Sequence, residues 1–245
     1  MSKPQPDPTR DLPVIHLLPN LMTITAICAG LTAIRFGSQG DFETAVKLVL
    51  LAMVLDGLDG RLARLMNCQS SFGAELDSLA DFVNFGVAPG LILYFWALHE
   101  SSAGWLAVLG FVICCVLRLA RFNVSSKADT EESQSNFFEG VPSPAGALLA
   151  MLPMYVSFLF SDMQLAPPIF VAGYLLAIGL LMISRVPTFS FKNISVPSGN
   201  AKFLMLGFVL LLSALLIYLW TTLALISITY IASLALAFRA ARKST

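Results

Sequence analysis

Eight apolar segments, each close to the length of a bilayer crossing, follow one another along the chain: residues 18–36, 44–66, 78–98, 103–122, 143–160, 167–186, 203–219 and 222–238. A helix needs about 20 mostly apolar residues to cross a hydrocarbon core of roughly 30 Å. Inside that core every backbone N–H and C=O must find its partner within the protein, which leaves helices and closed barrels as the spanning structures. The segments lack the two-residue alternation and the ten-residue spacing of barrel strands. The expected fold is therefore an all-α integral membrane protein with about eight transmembrane helices. Composition agrees, since 57% of the 245 residues are hydrophobic and 12% charged, against about 45–50% apolar and 25% charged in a soluble domain. Fifteen basic and fifteen acidic residues cancel, so no bulk field recruits nucleic acid, and no nucleic-acid partner is expected.

Residues 1–13 are polar and proline-rich and carry no apolar stretch of the kind a cleavable signal requires. With eight spans, both termini fall on one side together with loops 61–77, 118–142 and 185–202. Thirteen of the fifteen basic residues share that side, Arg61, Arg64, Arg118 and Arg121 among them, while Arg35 and Lys47 fall toward the other. The positive-inside rule makes the first side cytoplasmic, and the expected location is the cell (inner) membrane with both termini cytoplasmic. The four cysteines (Cys28, Cys68, Cys114, Cys115) fit neither a metal spacing nor a disulfide framework.

The acidic residues carry the chemistry. Asp56, Asp59, Asp77 and Asp81 lie in or at the ends of apolar helices, where one unpaired carboxylate costs at least ~2.5–3.5 kcal/mol. Asp56 and Asp59 are three apart and Asp77 and Asp81 four apart, so each pair shares a helix face. The residues between, polar from Asn67 to Ser71 and including Gly73, can reverse the chain. Two antiparallel helices would then bring four carboxylates together at the cytoplasmic end of the bundle. Four like charges in low dielectric need cations. Carboxylate oxygens suit Mg²⁺ or Mn²⁺, with Ca²⁺ admitted by the same chemistry, rather than zinc. Two divalent ions would neutralise the set and leave positions open for phosphate oxygens. Gly57, Gly60 and Ala63 clear side chains from the Asp56/Asp59 face, and Arg64, one turn beyond Gly60, can meet a phosphate in fork geometry. A metal pair, a glycine gap and an arginine on one face describe a pyrophosphate site.

The string Asp56-x2-Asp59-Gly60-x2-Ala63-Arg64-x8-Gly73-x3-Asp77-x3-Asp81 resembles the complete signature of the CDP-alcohol phosphatidyltransferases, with eight matched positions across 26 residues. Further runs resemble the bacterial and archaeal membrane phosphatidylserine synthases of that family. They are Leu18-Pro19-Asn20-Leu21-x-Thr23, Ser78 to Pro89, Arg118 to Asn123, Phe138 to Ala145, and Pro187 to Lys192. The resemblance implies a catalytic membrane core over 14–192 built on the family's six helices. A C-terminal transmembrane hairpin and basic tail would follow over 193–245. It implies that CDP-diacylglycerol and L-serine are the substrates and that phosphatidylserine and CMP are the products. Asp56, Asp59 and Asp77 would be metal ligands, and Asp81 would help hold the second ion and act as general base. Gly60, Ala63, Arg64 and Gly73 would contact the CDP part, with Asn20 and Thr23 at the nucleotide. A homodimer is implied by the resemblance alone. For the serine, charge and position add Arg118 and Arg121 as partners of the carboxylate and Glu139 as a partner of the ammonium.

Rival readings remain at this level. Four aspartates can also line a cation transporter, although such folds usually show paired broken helices in two repeats, which this chain lacks. A membrane prenyltransferase separates its two aspartate motifs widely, whereas these four are contiguous. Within the family, glycerol 3-phosphate, inositol phosphate or choline are alternative acceptors. Arg118 and Arg121 also suit plain positive-inside markers, and Arg64 a side chain reaching for headgroups.

Overall fold

The computed structural model describes residues 17–128, 137–160, 167–184, 187–189 and 201–243. The tail expected at 1–13 lies outside them, as do residues 190–200 at the junction of the core and the expected C-terminal hairpin. Each of the eight apolar segments forms a helical element. These are α1 (Leu18–Ser38), α2 (Phe42–Leu65), α3 (Ser71–Leu98), α4 (Ser102–Ala128), α5 (Ser143–Leu159), α6 (Pro168–Ile183), α7 (Ala201–Ile217) and α8 (Leu219–Lys243). Four stretches are long and apolar enough to cross a membrane: Leu18–Ser38, Ser71–Leu98, Ser102–Val124 and Leu219–Leu236. Ser143–Leu159, Pro168–Ile183 and Met205–Ile217 are apolar but shorter. In α2 the last turns carry Asp56, Asp59, Arg61 and Arg64, which lower its hydropathy at that end.

Small residues set how closely the helices approach. The buried stripe of α1 is Pro19, Thr23, Ala26, Ala29, Gly30, Ala33 and Gly37, a three-and-four spacing that forms one face. Lipid tails are as apolar as leucine, so helices in a bilayer associate through close van der Waals packing, which small residues permit. Along this stripe α1 packs against α2 and α3. Gly30 faces Asn84, and a methyl on Gly37 would lie 3.1 Å from Ile92 Cγ1. Deeper in the bundle α4 packs on α6, around the fully buried Phe85, Phe111, Leu149, Tyr155, Leu175 and Met182.

The turns explain the helix starts. Gly40 takes a positive φ of 85° between α1 and α2, and Asp41 caps α2 by accepting the Thr44 N–H at 3.1 Å. The Thr44 hydroxyl and N–H hold the Asp41 carboxyl below the usual carboxylate range. Between α2 and α3 the chain reverses at Asn67, with φ 50°, and Ser70 Oγ accepts the Gly73 N–H at 3.0 Å. This N-cap starts α3 at Ser71, seven residues before the expected span. Gly73 is accordingly inside the first turn of α3 and not in the reversal.

The helix α3 is a rod of 28 residues whose winding widens twice, at Phe82–Val87 and Tyr94–Leu98. The first wide stretch lies between Asp81 and Pro89. Proline has no N–H to donate and its ring crowds the preceding turn, and single wide turns of this kind recur at functional sites. Strands were not expected, yet β1 (Phe137–Glu139) pairs antiparallel with β2 (Pro187–Phe189), Phe138 opposite Thr188. The ladder is three residues long and joins the segments that follow α4 and α6, beyond the ends of the apolar helices. α4 itself continues to Ala128, which shortens the loop expected from residue 123.

Candidate active site

The α2–α3 reversal brings the four aspartates together at one end of the bundle. The Asp56 and Asp81 carboxyls are hydrogen-bonding neighbours, and Asp77 lies within electrostatic reach of Asp56, Asp59 and Asp81. Asp59 is 3% exposed. Thr23 of α1 stands beside it, with Oγ1 2.5 Å from Asp59 Oδ2 and 3.1 Å from the Pro19 carbonyl, and its single proton can be donated to only one of them.

Two carboxylates in contact in a low-dielectric interior do not both stay ionised without a cation or a shared proton. Asp56 Oδ1 and Asp59 Oδ1 are buried and have no hydrogen-bond partner among the described residues. Buried acceptors left free, on a set made only of carboxylate oxygens, fit hard divalent cations. As the side chains stand, no three His, Cys, Asp or Glu residues among those described gather around a single point close enough to hold an ion. The residues fit the expected metal by chemistry, and the side chains must move to close on it.

Beside the carboxylates opens a cavity of about 600 Å³, lined by Asn20 and Thr23 of α1, by Asp56, Gly57, Asp59, Gly60, Ala63 and Arg64 of α2, and by Gly73 and Asp77 of α3. A methyl placed on Gly57 or on Gly60 would meet nothing within 4 Å. These two glycines are not needed for helix packing. They hold space open in front of the carboxylates. At Gly73 a methyl would come within 3.0 Å of Asn20 Oδ1 and 3.2 Å of Ser70 Oγ, so this glycine lets α1 approach the start of α3. Arg64 is solvent-exposed on the rim.

The family model described as CDP-alcohol phosphatidyltransferase matches residues 16–186. The chain belongs to the CDP-alcohol phosphatidyltransferase family. Among curated relatives, a protein of Mycobacterium tuberculosis (strain ATCC 25618 / H37Rv) named CDP-diacylglycerol–serine O-phosphatidyltransferase is 36% identical over 229 residues, 93% of this chain and 80% of the relative. A protein of the same name from Helicobacter pylori (strain J99 / ATCC 700824) is 40% identical over 181 residues, 74% of this chain and 75% of the relative. One from Methanocaldococcus jannaschii is 36% identical over 180 residues, covering 73% and 77%.

Seven of the eight positions of the CDP-alcohol phosphatidyltransferase signature line the cavity, and the eighth, Asp81, touches Asp56 behind it. Asn20 and Thr23, expected at the nucleotide, line the same cavity. The residues expected at the serine are more spread. Arg118 is 8% exposed and lies near Cys115. The Cys115 thiol is a hydrogen-bonding neighbour of Ser143 and within electrostatic reach of both Asp81 and Arg118. Arg121 Nη1 donates to the Ile183 carbonyl at 2.9 Å, closing the end of α6 on α4. Glu139 lies on β1 opposite Pro187, with its side chain outside the described residues.

Sequence reasoning missed four residues here. Cys68 lines the cavity although its surroundings in the chain mark nothing. Ser78 and Asn123 exchange hydrogen bonds of 3.0 and 3.3 Å between α3 and α4, one residue beyond Asp77. In the sequence they stand only within longer runs, and a serine next to Asp77 is the available signal. Tyr230 of α8 lies within electrostatic reach of Arg118, so the C-terminal helix borders this region too.

Proposed function

We propose that this enzyme transfers the phosphatidyl group of CDP-diacylglycerol to the hydroxyl of L-serine, releasing CMP and phosphatidylserine. The observation that carries the reading is the convergence of four carboxylates, two with free buried oxygens, on a cavity held open by Gly57 and Gly60. The relatives' name, CDP-diacylglycerol–serine O-phosphatidyltransferase, supplies serine as the acceptor.

In this reading Asp56, Asp59, Asp77 and Asp81 hold two divalent cations, magnesium or manganese. Held there, such ions would supply electrostatic stabilisation of the charge that develops on the departing CMP. Gly57 and Gly60 admit the pyrophosphate and ribose close to the helix backbone. Arg64 meets a phosphate from the rim, while Ala63, Gly73, Asn20 and Thr23 border the nucleotide. Asp81, one turn deeper than Asp77, takes the serine hydroxyl proton as oxygen attacks the lipid-side phosphorus. Arg118 and Arg121 attract the serine carboxylate and Glu139 its ammonium. Transfer takes place at the cytoplasmic face, where CDP and serine arrive from water and the acyl chains stay in lipid. The catalytic core over 14–192 spans the inner membrane with six helices, the hairpin over 193–245 adds two more, and the protein works as a homodimer.

The test is CMP release by the purified protein with CDP-diacylglycerol and, in parallel, serine, glycerol 3-phosphate, inositol phosphate or choline. CMP release with serine alone supports the assignment, and release only with another acceptor refutes it. Asp81→Asn is expected to abolish turnover while CDP-diacylglycerol still binds. Loss of binding instead would make Asp81 chiefly a ligand.

A further inference from the structure

Asn84 lies in the first wide turn of α3, three residues past Asp81, and is 0% exposed. Neither atom of its carboxamide has a hydrogen-bond partner among the described residues. A buried polar group without a partner is costly enough that few are found in native folds. The neighbouring helix accommodates it specifically, because Gly30 of α1 faces the amide and a methyl there would collide with Asn84 Oδ1.

Helix rise places the amide relative to the site. Gly30 is seven residues beyond Thr23, or about 10 Å along α1, and Asn84 is seven beyond Asp77, or about 10 Å along α3. Thr23 meets Asp59 at the mouth, and the Asp56–Asp81 contact lies one turn deeper. Asn84 then sits a further three residues, about 4.5 Å of rise, beyond Asp81. A water molecule in this region would find two unpartnered polar groups. The groups are complementary: Asn84 Nδ2 is a donor without a protein partner and Asp56 Oδ1 is a buried acceptor without one. Ala26 and Ala29 of α1 and Ala52 of α2 form a small buried apolar cluster and supply neither donor nor acceptor side chains.

We infer that Asn84 is a positioning residue. Its carboxamide holds a buried water against the Asp56–Asp81 pair, and that water fixes the Asp81 carboxyl in the orientation needed to receive the acceptor's proton. Such a water has the polar partners that buried waters require. The inference rests on the reading of Asp81 as the base.

The experiment compares steady-state CMP release and thermal unfolding for Asn84→Leu, Asn84→Ser, Gly30→Ala and Asp81→Asn. Leucine has nearly the shape of asparagine and needs no partner. Asn84→Leu is expected to lower kcat about 10- to 100-fold, the usual effect of removing a partner behind a ligating carboxylate. KM for either substrate should stay within about twofold, and Tm should not fall, since an unsatisfied amide is gone. Asn84→Ser, with a hydroxyl able to hold the water, should recover most of the rate. Gly30→Ala displaces the amide without altering it and should reproduce the kcat loss. Wild-type kcat in Asn84→Leu or Gly30→Ala, alongside a dead Asp81→Asn, overturns the inference alone. Wild-type kcat in Asp81→Asn overturns the reading beneath it. Loss of rate that follows loss of folded protein, without rescue by serine, assigns Asn84 to packing and also overturns the inference.

Discussion

Gly60→Ala separates a substrate cradle from a packing contact, because the two roles give opposite signs in stability and activity. In the helix interior glycine is roughly 0.5–1 kcal/mol less favourable than alanine. The added methyl meets nothing within 4 Å, so no clash offsets that gain. A shift of 1 kcal/mol moves Tm by about 2–4 °C in a chain of this size, and the variant should unfold about 1–4 °C higher. The methyl nevertheless projects into the cavity beside Asp59. If the pyrophosphate and ribose rest against this face, overfilling a fitted contact costs about 1–3 kcal/mol, which is roughly 5- to 150-fold in affinity. The cost falls on bound substrate and transition state alike, so it should appear in KM for CDP-diacylglycerol, with kcat nearly unchanged. Unfolding followed by fluorescence in detergent and CMP release at varied CDP-diacylglycerol measure the two quantities. A Gly60→Ala enzyme with wild-type KM would refute the cradle, whatever its Tm. Gly57→Ala should behave alike, since its methyl also meets open space.

Chelation with EDTA should abolish CMP release and added Mg²⁺ or Mn²⁺ should restore it; full turnover in EDTA would remove the metals from the reaction. Arg118→Ala is expected to raise KM for serine about 10- to 100-fold, as the loss of a charge-assisted contact would, and unchanged KM would take it out of the acceptor site. Arg121→Ala should in addition destabilise the fold by about 1–3 kcal/mol, because it removes the bond to the Ile183 carbonyl; an unshifted Tm would count against that tie. Asp41 supplies the pH dependence. Its folded-state pKa is lowered by the Thr44 bonds, so its contribution is present above the unfolded value and is lost as pH falls through the folded one. The Tm difference between wild type and Asp41→Ala should therefore hold at neutral pH and shrink below pH ~4, and a difference constant down to pH 2 would contradict the cap.

The helices were legible because hydrocarbon admits so few backbone structures. Eight apolar runs had to become helices, and all eight did. Their ends were less so, because they depend on single side chains. Ser70 extends α3 by about two turns ahead of its apolar run, through one hydrogen bond to Gly73. The carboxylates were legible for a related reason. Charge in an apolar segment is expensive enough that Asp56, Asp59, Asp77 and Asp81 stand out from the background by energy alone, before any family is considered. Arg121 shows the opposite case, since nothing in its spacing separates a substrate ligand from a residue that caps a neighbouring helix.

Glycine and asparagine mark where reading the chain by residue type fails. Gly30, Gly57 and Gly60 are alike by residue type, and in the sequence only the aspartates beside Gly57 and Gly60 set those two apart. Three-dimensional surroundings divide them: a methyl on Gly30 strikes Asn84, while one on Gly57 or Gly60 strikes nothing. The first glycine therefore answers to a neighbour inside the protein, and the other two answer to something that enters from outside. Asn84 is hidden by the same logic. An amide raises far less insertion cost than a carboxylate, so one asparagine among Phe82, Val83, Phe85 and Val87 reads as noise. Only its complete burial, its two unpartnered atoms and the glycine cut to fit it set it apart. An expensive residue announces a site from the sequence, whereas a cheap one does so only when the packing around it has been arranged to keep it.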